Sequence, residues 1–267
     1  MIRAEFDPTT LLGDQAVWWE QWLTKATIAL ESACKDVEAG NVINFQPKVW
    51  SELKRWLLDN VFCGKCAYCE SETEVAGYAA ADHYRPKGRV DGDAEHGGYF
   101  WVAYDWRNLV PCCNRCNTGA KRASFPIAGK RVCNREVANC TDELNCIELP
   151  FLLSPYDEGD ANPRKHLAFT EFGQAIPKNG SERGQRTIDI CDLQRDALKQ
   201  RRKANQELAW LKWLFLCGEV EKLEEERQTF MQNIRAGKIE HSAAIADAIK
   251  AKVEKGLKEL SNGLPDE

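Results

Sequence analysis

Apolar residues recur every three or four positions through "VWWEQWLTKATIALESACKDVEAG", which predicts an amphipathic helix closing at Gly40. The same period returns in "KVWSELKRWLLDNVF". Residues 15–62 therefore read as helices, with Trp18, Trp19, Trp22, Trp50 and Trp56 turned towards a core. Over 63–135 the helical period is lost. The stretch is rich in Gly, Cys and Arg, and only "GYAAAD" and "NLV" have the character of short strands. Residues 154–184 are dense in turn formers, with "HLAFTEFG" reading as a hairpin. From about Thr187 to Leu260 the helical period resumes, with strongly charged faces that suit either a bundle or a docking surface. The pattern divides the chain into an N-terminal helical region (1–62), a cysteine-rich core (63–135), a turn-rich extension with a hairpin (136–186) and a C-terminal helical region (187–267). The expected class is α+β.

Composition narrows the picture. The hydrophobic fraction of 43% and charged fraction of 29% over 267 residues are those of a globular protein able to bury a real core. No run approaches the ~20 apolar residues of a membrane span, and "MIRAEFDPTT" lacks the apolar stretch of a signal peptide, so a cytoplasmic location is expected. The net charge of -5 argues against a protein that coats nucleic acid generically. That average conceals a local excess: residues 83–135 carry ten Lys/Arg against four Asp/Glu. No Gly-rich phosphate loop followed by Lys-Ser/Thr is present, which excludes ATP hydrolysis by a P-loop.

Twelve cysteines in a chain of this kind point to metal before disulfide. Cys66 and Cys69 form one Cys-x-x-Cys pair, and Cys113 and Cys116 form a second. Each such turn directs two sulfurs at one ion, and four thiolates suit tetrahedral Zn²⁺. The register has alternatives, since Cys63 stands at the same spacing from Cys66 and Cys112 stands beside Cys113. Cys133, Cys140 and Cys146, at irregular spacing, raise the question of a second site.

Between the two pairs, "CAYCESETEVAGYAAADHYRPKG" places His83 directly after Asp82 and ahead of Arg85, Pro86 and Lys87. "DWRNLVPCCNRCNTGAK" adds Asn108 before the second pair and Asn117 directly after it. A base, a hard oxygen ligand and amides gathered around a zinc knuckle are the parts that phosphodiester hydrolysis needs. This set of Asp-His, Asn-Leu and Cys-x-x-Cys-Asn resembles the HNH, or ββα-metal, endonuclease motif. Together with "WVAYDWRNLVPCCNRCNTGAKRASFP", "HLAFTEFG" and "ERGQRTIDICDLQRDALKQRR", it is similar over roughly residues 60–203 to the HNH subunit of Septu-type and retron-associated anti-phage defence systems.

The resemblance implies a ββα-metal, treble-clef-like core flanked by helical regions, acting as a DNA endonuclease with an ATPase partner. His83 would be the general base. Asp82 and Asn117 would hold a catalytic Mg²⁺ or Mn²⁺, and Asn108 would hold the loop and orient the His83 ring. The four-cysteine zinc would be structural, because four thiolates leave no open position for water. Arg85, Lys87, Lys121 and Arg122 are candidate phosphate contacts by charge and proximity. Many members of the family carry His where this chain has Asn117; an amide oxygen favours Mg²⁺ or Mn²⁺ over Zn²⁺ or Ni²⁺. The partner surface is expected on the helical arms, 15–62 and 187–260. The competing reading is a non-catalytic zinc module that docks another protein.

Overall fold

The computed structural model describes residues 1, 3–74, 79–218 and 224–262, without the side chains of 214–218 and 257–262. Helix α1 (Gly13–Glu38) buries Trp19, Trp22, Ala26, Ala29 and Ala33, a stripe spaced by three and four residues. It ends where Gly40 takes φ +70, so that Gly40 N–H reaches the Val37 carbonyl at 3.0 Å and Asn41 N–H the Asp36 carbonyl at 2.8 Å. Helix α2 (Pro47–Asn60) starts on a proline, whose missing N–H is no loss in a first turn, and buries Val49, Leu53, Trp56 and Leu57. Trp18 stacks on Trp56 at 5.2 Å, and Trp19 and Trp22 complete an aromatic cluster between the two helices.

Strand β1 (Ala80–His83) pairs antiparallel with β2 (Leu109–Cys112), in a register that sets Asp82 opposite Val110 and His83 opposite Leu109. Gly77 and Tyr78, at the start of the expected first strand, lie outside the described residues. Directly after β2 the chain winds into a π-helical segment, Arg115–Lys121. The first knuckle docks on this ribbon through Ala67 N–H to the Pro111 carbonyl at 2.9 Å.

Helix α3 (Thr141–Glu148) and the short α4 (Pro163–His166) lead to the hairpin of β3 (Leu167–Phe169) and β4 (Ala175–Pro177). Helices α5 (Glu182–Ile190), α6 (Asp196–Gly218), α7 (Glu224–Arg235) and α8 (Ser242–Asn262) follow. One apolar cluster runs through the molecule. It joins Trp22, Leu53, Tyr68, Leu109, Phe125, Leu153, Leu167, Ile188 and Leu198, and so draws on every region of the chain. A smaller cluster of Ala209, Phe230, Ile234, Ile245 and Ile249 holds α6, α7 and α8 together. No helix among the described residues is long and apolar enough to cross a membrane.

Candidate active site and metal centre

The sulfurs of Cys66, Cys69, Cys113 and Cys116 all lie within 4.8 Å of one another, and all four residues are buried. The Cys69 and Cys113 sulfurs are 3.8 Å apart. A tetrahedron built on Zn–S bonds of ~2.3 Å has sulfurs roughly 3.8 Å apart, so the cluster has the dimensions of a zinc site. The register is thereby decided. Cys112 belongs to β2, with its thiol 3.4 Å from the Cys113 carbonyl, and Cys63 is exposed. Burial opposes ionisation of Cys66, yet hydrogen bonds from the surrounding thiols hold it well below the ordinary thiol range. The same contacts push Cys116 up. Cys133 and Cys146 are exposed and Cys140 half-buried, all outside this cluster.

Asp82, His83 and Asn117 line one cleft of about 490 Å³, together with Lys87, Arg89 and Arg122. The β1–β2 ribbon supplies the first two and the π-helical segment the third. The His83 ring is 3.1 Å from the Ala103 carbonyl through Nε2. A carbonyl only accepts, so Nε2 carries the proton and Nδ1 the lone pair. Trp50 meets the ring edge-on at 4.9 Å between centroids. Burial, and then the positive charges of Lys87 and Lys121, press His83 down to about 3, which keeps it neutral near pH 7. Asp82 accepts a hydrogen bond from Tyr68 Oη at 2.8 Å on one oxygen and pairs with Lys121 Nζ at 3.2 Å on the other. Burial raises its carboxyl pKa, against the pull of Lys121. A carboxylate offers about four lone-pair positions, so these two partners leave room for a ligand. Carboxylate and amide oxygens form a hard donor set that fits Mg²⁺ or Mn²⁺.

Two of the expected phosphate contacts are corrected here. Arg85 is fully buried: Nε donates to Glu148 at 2.9 Å, Nη2 donates to Asn145 at 2.9 Å, and the guanidinium lies 4.9 Å over the Phe125 ring. Lys121 is equally buried, bridging Asp82 and the His83 carbonyl, the latter at 2.8 Å. Both cations are spent inside the fold, and neither meets solvent. Lys87 and Arg122 do remain at the cleft; Lys87 Nζ sits 5.1 Å from the Trp50 ring centre, and Arg122 is exposed in a backbone conformation (φ 51, ψ -121) that side chains seldom adopt. Asn108 does not touch the His83 ring. It accepts from Arg85 N–H at 2.7 Å and donates to the carbonyls of Arg85 and Val102 at 3.2 and 3.0 Å. It thus clamps the end of β1 to the loop whose next carbonyl, that of Ala103, holds the ring.

Glu148 ties this frame together, accepting from Arg85, from Tyr99 Oη at 2.7 Å and from Val132 N–H at 3.0 Å. Glu148→Ala leaves the Arg85 guanidinium buried without its carboxylate. The expected cost is about 3–5 kcal/mol in urea unfolding. A loss below 1 kcal/mol would mean that Arg85 relaxes to solvent.

Three residues at the two sites carry no sequence signal of their role. Tyr68, between the first two cysteines, reaches Asp82. Trp50 reads as core but meets the His83 ring edge-on and lies against Lys87. Arg195, far along the chain, points Nη1 at the Cys116 sulfur from 3.6 Å. Arg89, also at the cleft, does carry the charge signal that singles out Lys87. His96, in contrast, is a packing residue: it bonds the Val132 carbonyl at 2.9 Å and lies against Tyr99.

No family model matches the chain. Over 150 residues, 55% of its length, it is 36% identical to the Septu protein PtuB of Bacillus mycoides (strain KBAB4). The chain is similar to a Septu protein. The matched stretch spans 48% of that relative, so this PtuB-like chain corresponds to about half the relative's length.

Proposed function

We propose that this PtuB-like chain is a metal-dependent HNH endonuclease. Its ββα-metal core would be β1, β2 and the 115–121 segment, and it would serve as the nuclease effector of an anti-phage defence complex. The observation that supports this most strongly is the cleft shared by Asp82, His83 and Asn117, with the His83 proton held on Nε2 and Nδ1 left as a base. A purely structural zinc module needs no such group. In this reading His83 Nδ1 takes a proton from water as the water oxygen bonds to phosphorus, and the bond from phosphorus to the ester oxygen breaks, the leaving oxygen departing with the electron pair and taking a proton from solvent. A divalent ion held by Asp82 and Asn117 would supply charge stabilisation at the phosphate. Lys87, Arg89 and Arg122 position the backbone of the nucleic acid. The four-cysteine zinc shapes the knuckle and takes no part in the reaction.

The test is nicking of supercoiled plasmid by the wild-type chain with Mg²⁺ or Mn²⁺, with EDTA as the second arm. Cleavage that survives EDTA, or that never appears even with the ATPase subunit of the same system added, defeats the proposal. Lys87→Ala with Arg122→Ala is expected to weaken binding to DNA of any sequence and to flatten the salt dependence of log K by about 1 per lost contact. An unchanged slope in a filter-binding titration would remove both residues from the phosphate path.

The ATPase partner is part of the proposal by family resemblance. Val17 and Ile28 on α1, and Leu208 and Leu211 on α6, are exposed apolar side chains on the two helical arms where it would dock. Failure of the chain and a co-expressed ATPase to co-purify would dispose of that assignment.

A further inference from the structure

Three of the largest fully buried side chains are cations: Arg85, Lys121 and Arg202. Arg85 has Glu148 and Lys121 has Asp82. Arg202 has no carboxylate partner among the described residues. Its Nη1 donates to the Leu193 carbonyl at 2.7 Å and the Gly173 carbonyl at 3.4 Å, its guanidinium covers the Phe169 ring at 4.9 Å, and its Nη2 is buried without an acceptor. A buried charge left uncompensated is one of the costlier features a fold can carry. Burial pulls this guanidinium down to about 10, against the opposing pull of Cys69, Glu70 and Cys116.

Seven residues earlier on the same stretch of chain, Arg195 is also free of any carboxylate among the described residues. Its Nη1 faces the Cys116 sulfur at 3.6 Å and the Asp192 carbonyl at 2.9 Å. Glu70, the acid whose charge acts on Arg202, is committed elsewhere. Its carboxylate accepts from Ala243 N–H at 3.2 Å in the first turn of α8 and pairs with the Met1 amine at 2.7 Å.

We propose that Arg195 is the built-in counter-cation of the four-cysteine centre, so that zinc loading and the seating of the C-terminal helices, which Arg195 precedes and Arg202 anchors to the β3–β4 turn, are a single event. Zn²⁺ with four thiolates carries a net charge of about -2, and a guanidinium at a ligand sulfur offsets part of it. The hydrogen bond from Arg195 to a ligand sulfur is an outer-shell contact of the kind that orients and stabilises a metal ligand.

The packing fits the same account. Gly173, in the β3–β4 turn, approaches α6 so closely that a Cβ there would lie 2.2 Å from the Lys199 carbonyl, and this contact delivers the Gly173 carbonyl to Arg202. At the other knuckle, His241 Nδ1 donates to the Cys69 carbonyl at 3.2 Å and Lys65 Nζ donates to the Ile239 carbonyl at 3.0 Å. Both cysteine pairs are therefore gripped by residues from beyond position 190. The inference rests on the zinc reading and is independent of the nuclease reading.

The experiment measures zinc affinity by competition with a fluorescent chelator, after metal analysis of the wild-type protein. Arg195→Gln keeps a polar donor on a shorter side chain but removes the charge, and is expected to weaken zinc binding by about 10–100-fold. Arg195→Lys keeps the charge and is expected to recover most of that loss. Zinc affinity of Arg195→Gln within twofold of wild type overturns the proposal. Hydrogen exchange on the wild-type chain supplies a readout that needs no variant. Chelation should raise exchange at residues 193–206 and 239–245, and unchanged protection there also overturns it. A wild-type protein free of zinc would remove the zinc reading itself, and this inference with it.

Discussion

His83→Ala is expected to abolish plasmid nicking while zinc content and far-UV circular dichroism stay at wild-type values. A positioned general base contributes about 10²–10⁴-fold to rate, so the variant should fall to the background of a plasmid assay. The geometry makes the expectation specific. Only Nδ1 is free to take a proton, because Nε2 is committed to the Ala103 carbonyl. The ring packs edge-on to Trp50 at the rim of the cleft, and its removal leaves the Asp82–Tyr68–Lys121 contacts in place. Equal nicking by wild type and variant would sink His83 as the base. Nicking lost together with zinc would point instead to a structural role.

The second large effect is expected at the zinc ligands. Structural zinc in small domains contributes about 10–16 kcal/mol of apparent binding free energy, and that energy is available only to the folded chain. Here the four cysteines lie inside the main apolar cluster, beside Tyr68, Leu109 and Val110. Cys113→Ser, or prolonged chelation of the wild type, should therefore abolish the cooperative melt of the β1–β2 ribbon and not merely lower it. Metal analysis with differential scanning calorimetry reads both quantities. A metal-free protein that melts like the wild type would show that packing alone holds the knuckles.

Much of this architecture was legible beforehand where chemistry repeats locally. The spacing of Trp19, Trp22, Ala26 and Ala29 marks α1 because a helix presents every third or fourth residue to one side. The first strand and the turn of the hairpin are legible in "HLAFTEFG" from alternation and a glycine, while its second strand, Ala175–Pro177, lies beyond that stretch. Two Cys-x-x-Cys turns declare their common purpose because few other structures need them. Cys112 and Cys113 could not be separated by spacing. What separates them is the fold, which brings the sulfur of Cys113, just past the end of β2, within 4.8 Å of those of Cys66, Cys69 and Cys116.

Charge was the poorer guide. Arg85, Lys87, Lys121 and Arg122 look alike as cations near a motif, yet two are sealed in the core and two reach the cleft. The difference arises from partners distant in sequence: Glu148 for Arg85, and Asp82 for Lys121 across β1 and the π-helical segment. Asn108 likewise acts at one remove, on backbone rather than on the ring it was expected to orient.

What the amino-acid order determined by itself is the set of local devices: the helical stripes, the two knuckle turns, and Asp82 and His83 side by side on a strand. Their recognition needs only neighbours within a turn or two, which is the range over which backbone geometry repeats. Tertiary structure alone decided which cations are available, which nitrogen of His83 carries its proton, and which residues surround the zinc cluster. Each depends on a contact between groups tens or more of residues apart, such as Ala103 with His83 or Arg195 with Cys116. Burial then fixes the charge state of each group, because in a low-dielectric interior a charge persists only where a partner has been folded against it.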